Sequence, residues 1–187
     1  MKKLIAFILI AVMTASLVAC STNTKEDNTS QEPAETSAYK KLYDFINENG
    51  AEMTGYNALT AAVDDSYISI IAKSESTIEL MLLSETEELA TKVSIILSED
   101  EKEHKVSLDS KIDGEIDTYE GYIDPKTYDT DSPEILSYKS ASPQAYQEDE
   151  KKALAAAVNY TLTMADVAME KTPVTLKDMG YEKFSQQ

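Results

Sequence analysis

Apolar residues recur at every second position through the middle of the chain, and this alternation constrains the fold more than any other feature. Ile78, Leu80 and Leu82 alternate in one segment, and Val93, Ile95 and Leu97 alternate in another. Similar segments surround Ile68 and Val106, with Ser, Glu and Asp clusters between them. Because successive side chains of a β-strand point to opposite faces, the pattern predicts an antiparallel meander of five to seven strands with one wet face.

Two segments with helical spacing flank the predicted strands. The first runs from Ala38 to Asn49, with Ser37 as a cap and Gly50 as a stop. The second runs from about Gln144 to Glu170, and its apolar positions at spacings of three and four are Leu154, Val158, Leu162, Ala165 and Met169. Helix, strands and helix in this order predict an α+β fold, with both helices packed on the apolar face of the sheet.

The N-terminus has the features of a secretory signal peptide over residues 1–19. Two lysines precede an apolar run from Leu4 to Val12, and small residues follow. The run is short for a transmembrane helix, which needs about 20 apolar residues. The ending L-V-A-C at residues 17–20 resembles the lipobox of bacterial lipoproteins, and Cys20 is the only cysteine in the chain. The resemblance implies a diacylglycerol anchor on Cys20 and a location on the extracytoplasmic side of the cell membrane.

Domain boundaries follow from composition. Residues 20–37 contain the lipidated cysteine and a tether without large apolar residues, which cannot bury enough surface to order itself. Residues 38–187 then form a single α+β domain. The succession of tether, helix, meander and the ending TLKDMGYEKF is similar to surface lipoproteins of low-GC Gram-positive bacteria, a resemblance that implies no activity.

The charge of the chain excludes some partners. There are 34 acidic residues against 17 basic ones, all of them lysines, for a formal net charge of −17. A chain this acidic, with no arginine to grip phosphate, is unsuited to nucleic acid and to electrostatic docking on anionic lipid. We expect a neutral or cationic partner or a metal ion, although acidity also serves solubility alone.

Residues for nucleophilic catalysis are scarce. The only histidine, His104, lies in the charged run SEDEKEHK and is predicted to be a solvated turn residue. Serine–lysine pairs such as Ser74 with Lys73 do not stand out, and the five glycines form no phosphate-binding pattern. We therefore expect no enzymatic activity and no cofactor, and a small envelope hydrolase is the third alternative.

The stretch DSKIDGEIDTYE, Asp109 to Glu120, comes close to the calcium loop of an EF-hand. Gly114 occupies the turn position, but Lys111 replaces a ligand, and the stretch is entered by an alternating segment instead of a helix. Asp-Gly between alternating segments favours a β-hairpin. A three-residue connection from Asp113 to Glu115 is favoured because it keeps Ile116 on the same face as Val106.

A second acidic stretch offers weak candidate metal ligands. Asp129, Asp131 and Glu134 follow one another in a proline-bounded loop, and their oxygens suit a hard cation, but their spacing matches no standard loop. They support a second interpretation, in which the protein is a divalent-cation (calcium)-dependent surface module.

Four tyrosines fall close together late in the chain: Tyr119, Tyr122, Tyr128 and Tyr138. Tyrosine is favoured at recognition surfaces because it combines contact area with a polar tip, although half-buried tyrosines are also common in sheets. They are the candidates for a binding face. The leading interpretation is a membrane-anchored, non-catalytic module that binds an envelope protein or small ligand.

Overall fold

The computed structural model describes residues 36–63, 65–85, 89–112 and 115–184. The predicted signal peptide, Cys20 and most of the predicted tether lie outside these ranges. Helix α1 (Ala38–Asn49) and helix α2 (Gln144–Met169) flank eight strands: β1 (Ala51–Met53), β2 (Tyr56–Val63), β3 (Ser66–Ser74), β4 (Thr77–Glu85), β5 (Leu89–Ser98), β6 (His104–Ile112), β7 (Glu115–Ile123) and β8 (Leu136–Lys139).

Each strand pairs antiparallel with the next one along the chain, so the sheet order is β1 to β8. The α+β fold with an antiparallel meander is confirmed. The sheet has eight strands, whereas five to seven were predicted. The short edge strand β1, of 3 residues, shows too few positions for the alternation to be recognised.

Helix α1 is held at both ends by local contacts. The Ser37 hydroxyl accepts a hydrogen bond from the Lys40 amide at 3.2 Å, as expected of an N-cap. Gly50 ends the helix where the chain passes the backbone of β2. A Cβ at this position would lie 2.6 Å from the Ile46 carbonyl oxygen and 2.7 Å from the Ala58 carbonyl oxygen, so only glycine fits.

The hydrophobic core lies between the two helices and one face of the sheet. Ile70, Leu80 and Ile95 of the sheet are fully buried. Leu42 of α1 and Leu154 of α2 are fully buried against them. The side chains at the alternate positions of the same strands point away from the helices. We call that second side of the sheet the open face.

The acidic stretch around Gly114 connects two strands. β6 and β7 flank it and pair along their length, so the predicted hairpin is confirmed. The predicted three-residue connection is wrong, because Ile112 pairs with Glu115 and leaves two residues between them. Two-residue turns match the twist of paired strands. The free energy gained from this match outweighs the cost of exposing the Ile116 side chain. Ile116 therefore lies on the open face, 64% exposed.

The prediction of a solvated His104 is wrong. The residue begins β6 and is 1% exposed, because the strand register points it into the core. Its Nδ1 lies 2.8 Å from the Tyr181 hydroxyl, and its Nε2 lies 3.2 Å from the Ser98 carbonyl oxygen. A neutral ring that donates from Nε2 and accepts at Nδ1 satisfies both partners.

The C-terminal segment closes the core beside His104. Thr175 and Asp178 form a capping box, in which the Thr175 amide donates to the Asp178 carboxylate at 2.8 Å. Leu176, Tyr181 and Phe184 are buried. In the described part of the chain, neither helix is long and apolar enough to cross a membrane.

We expect the stability of the fold to fall as the pH drops below about 6.5. Burial lowers the pKa of His104 from its ordinary 6.5, while the Ser98 carbonyl and the charge of Asp124 oppose that change. The unfolded chain therefore binds the proton more tightly than the folded protein does, and stability is lost as histidine protonates. Hydrogen bonds also lower the carboxyl pKa of Asp178 from 3.8, so its contribution is lost only at lower pH.

The measurement is urea denaturation at about pH 7.5 and about pH 5. In the variant His104→Gln the free energy of unfolding should change less between these two conditions than in the unmodified protein. An equal change in both proteins would contradict this account.

Candidate functional site

The structure places the four candidate tyrosines at three different locations. Tyr128 is buried in the core, where its hydroxyl donates to Asn159 Oδ1 at 3.2 Å. Tyr119 and Tyr138 pack against the core on the helix side, and burial is the main cause that raises the pKa of Tyr138 to about 12. Tyr122 lies on the open face, opposite Lys105. The four side chains therefore do not form one continuous surface.

The acidic candidates are dispersed in a similar way. The Asp129 carboxylate accepts a hydrogen bond from the Asp131 amide at 2.9 Å, which folds the loop on itself. Glu134 lies in a shallow cleft of about 320 Å³ with Glu148 and Lys151. In residues 36–63, 65–85, 89–112 and 115–184, no group of three or more His, Cys, Asp or Glu side chains is arranged to hold a metal ion.

The open face of the sheet carries an organised set of polar side chains instead. Cross-strand pairing aligns one row of mostly hydroxyl and charged residues across the sheet, and its members are Thr60, Ser69, Met81, Ser94, Ser107, Glu120 and Lys139. Thr60 and Ser69 hydroxyls are 3.1 Å apart, and Lys105 Nζ lies 2.6 Å from Glu120 Oε1. The row provides donors and acceptors along the direction that crosses the strands.

A second group, which we call the Lys73 cluster, consists of Tyr56, Lys73, Glu79 and Ser94. The Lys73 ammonium lies 3.8 Å from the centre of the Tyr56 ring and 3.4 Å from Glu79 Oε2. The other oxygen of Glu79 accepts a hydrogen bond from the Ser94 hydroxyl at 2.7 Å. The β3–β4 register shifts between Ala72 and Ser74, as in a β-bulge. Such a bulge changes the direction in which the side chain of Lys73 points.

Large apolar side chains accompany these polar groups on the open face. Tyr56, Tyr67, Leu83 and Ile116 are all exposed there. Eight strands spaced by about 4.8 Å make a sheet roughly 34 Å wide, and strands of nine residues are about 30 Å long. The open face thus offers a mixed polar and apolar area of about 1,000 Å².

The open face is also nearly neutral, in contrast to the chain as a whole. The strand register places five lysines and four acidic residues on this side. They are Lys73, Lys92, Lys105, Lys111 and Lys139, and Glu79, Glu85, Asp109 and Glu120. The formal net charge of the chain is −17. The negative charge is therefore carried by the rest of the chain.

The Lys73 cluster lacks the arrangement that activates a serine nucleophile. A serine nucleophile needs a base that can take its proton and a group that orients that base. Ser94 donates to a carboxylate that is already paired with Lys73, and His104 lies in the core on the other side of the sheet. These groups can instead donate and accept hydrogen bonds and stack against a partner.

The sequence pattern alone does not indicate the Lys73 cluster. Its residues are the polar half of the alternation that predicted the strands, so each one looked like an ordinary solvated position. Only the strand register brings Tyr56, Lys73, Glu79 and Ser94 together. No protein-family model matches the chain, and no curated protein or solved structure is similar to it.

We expect the Lys73 cluster to contribute to stability as well as to the surface. In Glu79→Ala the nearly buried Ser94 hydroxyl loses its acceptor and Lys73 loses its partner, which should lower the free energy of unfolding by about 1–3 kcal/mol. The matched control is Glu120→Ala, which breaks an ion pair with side chains 47% and 40% exposed. That change should cost less than about 1 kcal/mol. Urea denaturation measures both, and equal costs would contradict the assignment.

Proposed function

We propose that this protein is a membrane-anchored lipoprotein on the extracytoplasmic side of the cell membrane, where it acts as a non-catalytic binding module. The observation that carries the proposal is the open face, a broad and nearly neutral surface with exposed aromatic and hydroxyl groups on an otherwise acidic protein. The lipobox-like ending at Cys20 supports the location.

The shape of the open face favours a protein partner over a small ligand. Small molecules bind in concave pockets that enclose most of their surface. Two shallow clefts in the described residues, one beside Glu134 and one beside Lys41, lie away from this face. An area of about 1,000 Å² compares with the roughly 800 Å² that each partner contributes to a standard protein–protein interface.

The charges favour a neutral or cationic surface on that partner. Lysines and acids are interspersed on the open face, and several are already paired with each other, as Lys73 is with Glu79. An anionic partner would meet the acidic surfaces that surround this face and would be repelled. We therefore assign the open face to an envelope protein whose contacting surface is neutral or basic.

The proposed anchor and tether allow the domain to stand away from the membrane surface. Two acyl chains hold a protein on a membrane stably where a single chain is marginal. Residues 21–37 contain no large apolar residue, and 17 residues span about 55–60 Å at full stretch. The proposed binding face can therefore meet partners that stand well above the lipid headgroups.

The location can be tested by the substitution Cys20→Ser. Without the thiol, no acyl chain can be attached, so the protein should move from the membrane fraction to the soluble extracytoplasmic or culture fraction. Metabolic labelling with a radioactive fatty acid should mark the unmodified protein and not the variant. Unchanged fractionation of the variant would overturn the proposed anchor.

The binding face can be tested by site-specific photo-crosslinking in intact cells. A photoreactive amino acid at Tyr67 or at Leu83 should give the same discrete adduct, and the same residue at the exposed control position Lys177 should not. Once the adduct is identified by mass spectrometry and its protein is purified, Leu83→Glu should weaken binding at least tenfold, which is about 1.4 kcal/mol. The control Pro173→Glu, also at an exposed apolar residue, should leave the affinity unchanged.

Two results would contradict this proposal. One is a discrete adduct from Lys177 with none from the open face. The other is turnover of a peptide, ester or glycoside substrate by the purified protein that a single serine or carboxylate substitution abolishes.

A further inference from the structure

The solvent side of helix α2 lacks charge over half of the helix's length. There is no charged residue between Lys152 and Asp166, in a chain of which 27% of the residues are charged. Ala153, Ala156 and Tyr160 are exposed within that stretch, on the side away from the core. A helix that is apolar on both sides is typically covered on both sides.

The exposed large apolar residues of α2 follow a seven-residue repeat. Tyr146, Tyr160 and Val167 are 63%, 41% and 50% exposed, and together with Ala153 they recur at every seventh position. Ala156 and Thr163 lie three residues after Ala153 and Tyr160, as the second position of a coiled-coil seam does. We call this surface the α2 stripe: Tyr146, Ala153, Ala156, Tyr160, Thr163 and Val167.

We propose that two copies of this protein associate through the α2 stripe, with their α2 helices antiparallel. In this arrangement Tyr160 of each copy packs on Ala156 of the other, near the two-fold axis. Ala153 then faces Thr163 of the second copy. Large residues meet small ones in the central layers, so the two helices can approach closely. A parallel, in-register pair would place Tyr160 against Tyr160.

Charge at the two ends of the stripe favours the antiparallel orientation. Lys152 at one end comes close to Asp166 of the second copy, and Tyr146 comes close to Glu170, whose carboxylate can accept from its hydroxyl. A parallel pair would instead bring Asp149 against Asp149, and these side chains, 86% exposed, would repel each other. Two antiparallel helix dipoles also attract each other. The central layers and the two end pairs are therefore complementary in this orientation, whereas Val167 of each copy faces the charged Asp149 of the other.

The area predicts a weak association. A helix of 26 residues is about 39 Å long, and a contact roughly 10 Å wide buries about 400 Å² on each copy. The total of about 800 Å² lies below the standard range for stable complexes. We expect a dimer that forms at high micromolar concentration in solution. This inference does not depend on the proposed partner of the open face.

Cysteine cross-linking tests the orientation. Residues 35–187 form one compact unit, so a chain of residues 21–187 retains the fold, and it contains no native cysteine. An equimolar mixture of Ala153→Cys and Thr163→Cys chains, oxidised at about 1 mM, should give mainly the mixed disulfide dimer. Homodimers of each variant in preference to the mixed species would overturn the antiparallel arrangement, and so would the absence of any disulfide dimer.

Sedimentation equilibrium tests the surface. Tyr160→Lys should weaken the association of residues 21–187 at least tenfold without changing the melting curve. The matched control is Tyr67→Lys, which changes an exposed tyrosine of the open face. The control variant should dimerise as the unmodified chain does. A monomer at about 1 mM for the unmodified chain, or loss of the dimer in the control alone, would overturn the proposal.

Discussion

The packing of two helices on one face of an eight-stranded meander determines the rest of this structure. Each strand of the sheet has two faces, and α1 and α2 can cover only one of them. The covered face contributes fully buried residues such as Ile70, Leu80 and Ile95. At about 25 cal/mol per Å² of apolar surface, burial on that single face supplies the main driving force for folding. The other face is thereby left uncovered by the helices and can carry polar and aromatic groups.

Much of this architecture could be predicted from the sequence because it depends on local periodicity. A spacing of two residues indicated the central strands, and spacings of three and four indicated α1 and α2. The three-residue edge strand β1 is too short to show a period, and the turn register depends on turn geometry as well as on periodicity. At the β6–β7 connection, turn geometry prevailed over the placement of Ile116, and alternation alone gives no measure of that competition. His104 was misplaced because its charged neighbours suggested a solvated loop, whereas Tyr181, 77 residues away, provides its partner.

The candidate site was less predictable than the fold for the same reason. Proximity in sequence suggested a surface made of Tyr119, Tyr122 and neighbouring tyrosines, but side chains an odd number of positions apart on a strand point to opposite sides. The Lys73 cluster combines residues from β2, β3, β4 and β5. Its members are brought together by cross-strand register, which depends on turn types and on the bulge at Lys73. A pattern along the chain does not contain that information, so only the structure reveals the cluster.

The two proposed surfaces lie on opposite sides of the domain, and this has a consequence for binding. The α2 stripe faces away from the sheet, and the open face points away from the helices. An antiparallel pair of α2 helices would therefore leave both open faces accessible, directed away from each other. Such a dimer could engage two copies of a partner, and where those two copies are held in one assembly or one membrane, the first contact would raise the effective concentration for the second. A weak individual contact would then suffice for stable attachment. A weak contact is expected of the open face, because several of its charges are already paired within the chain.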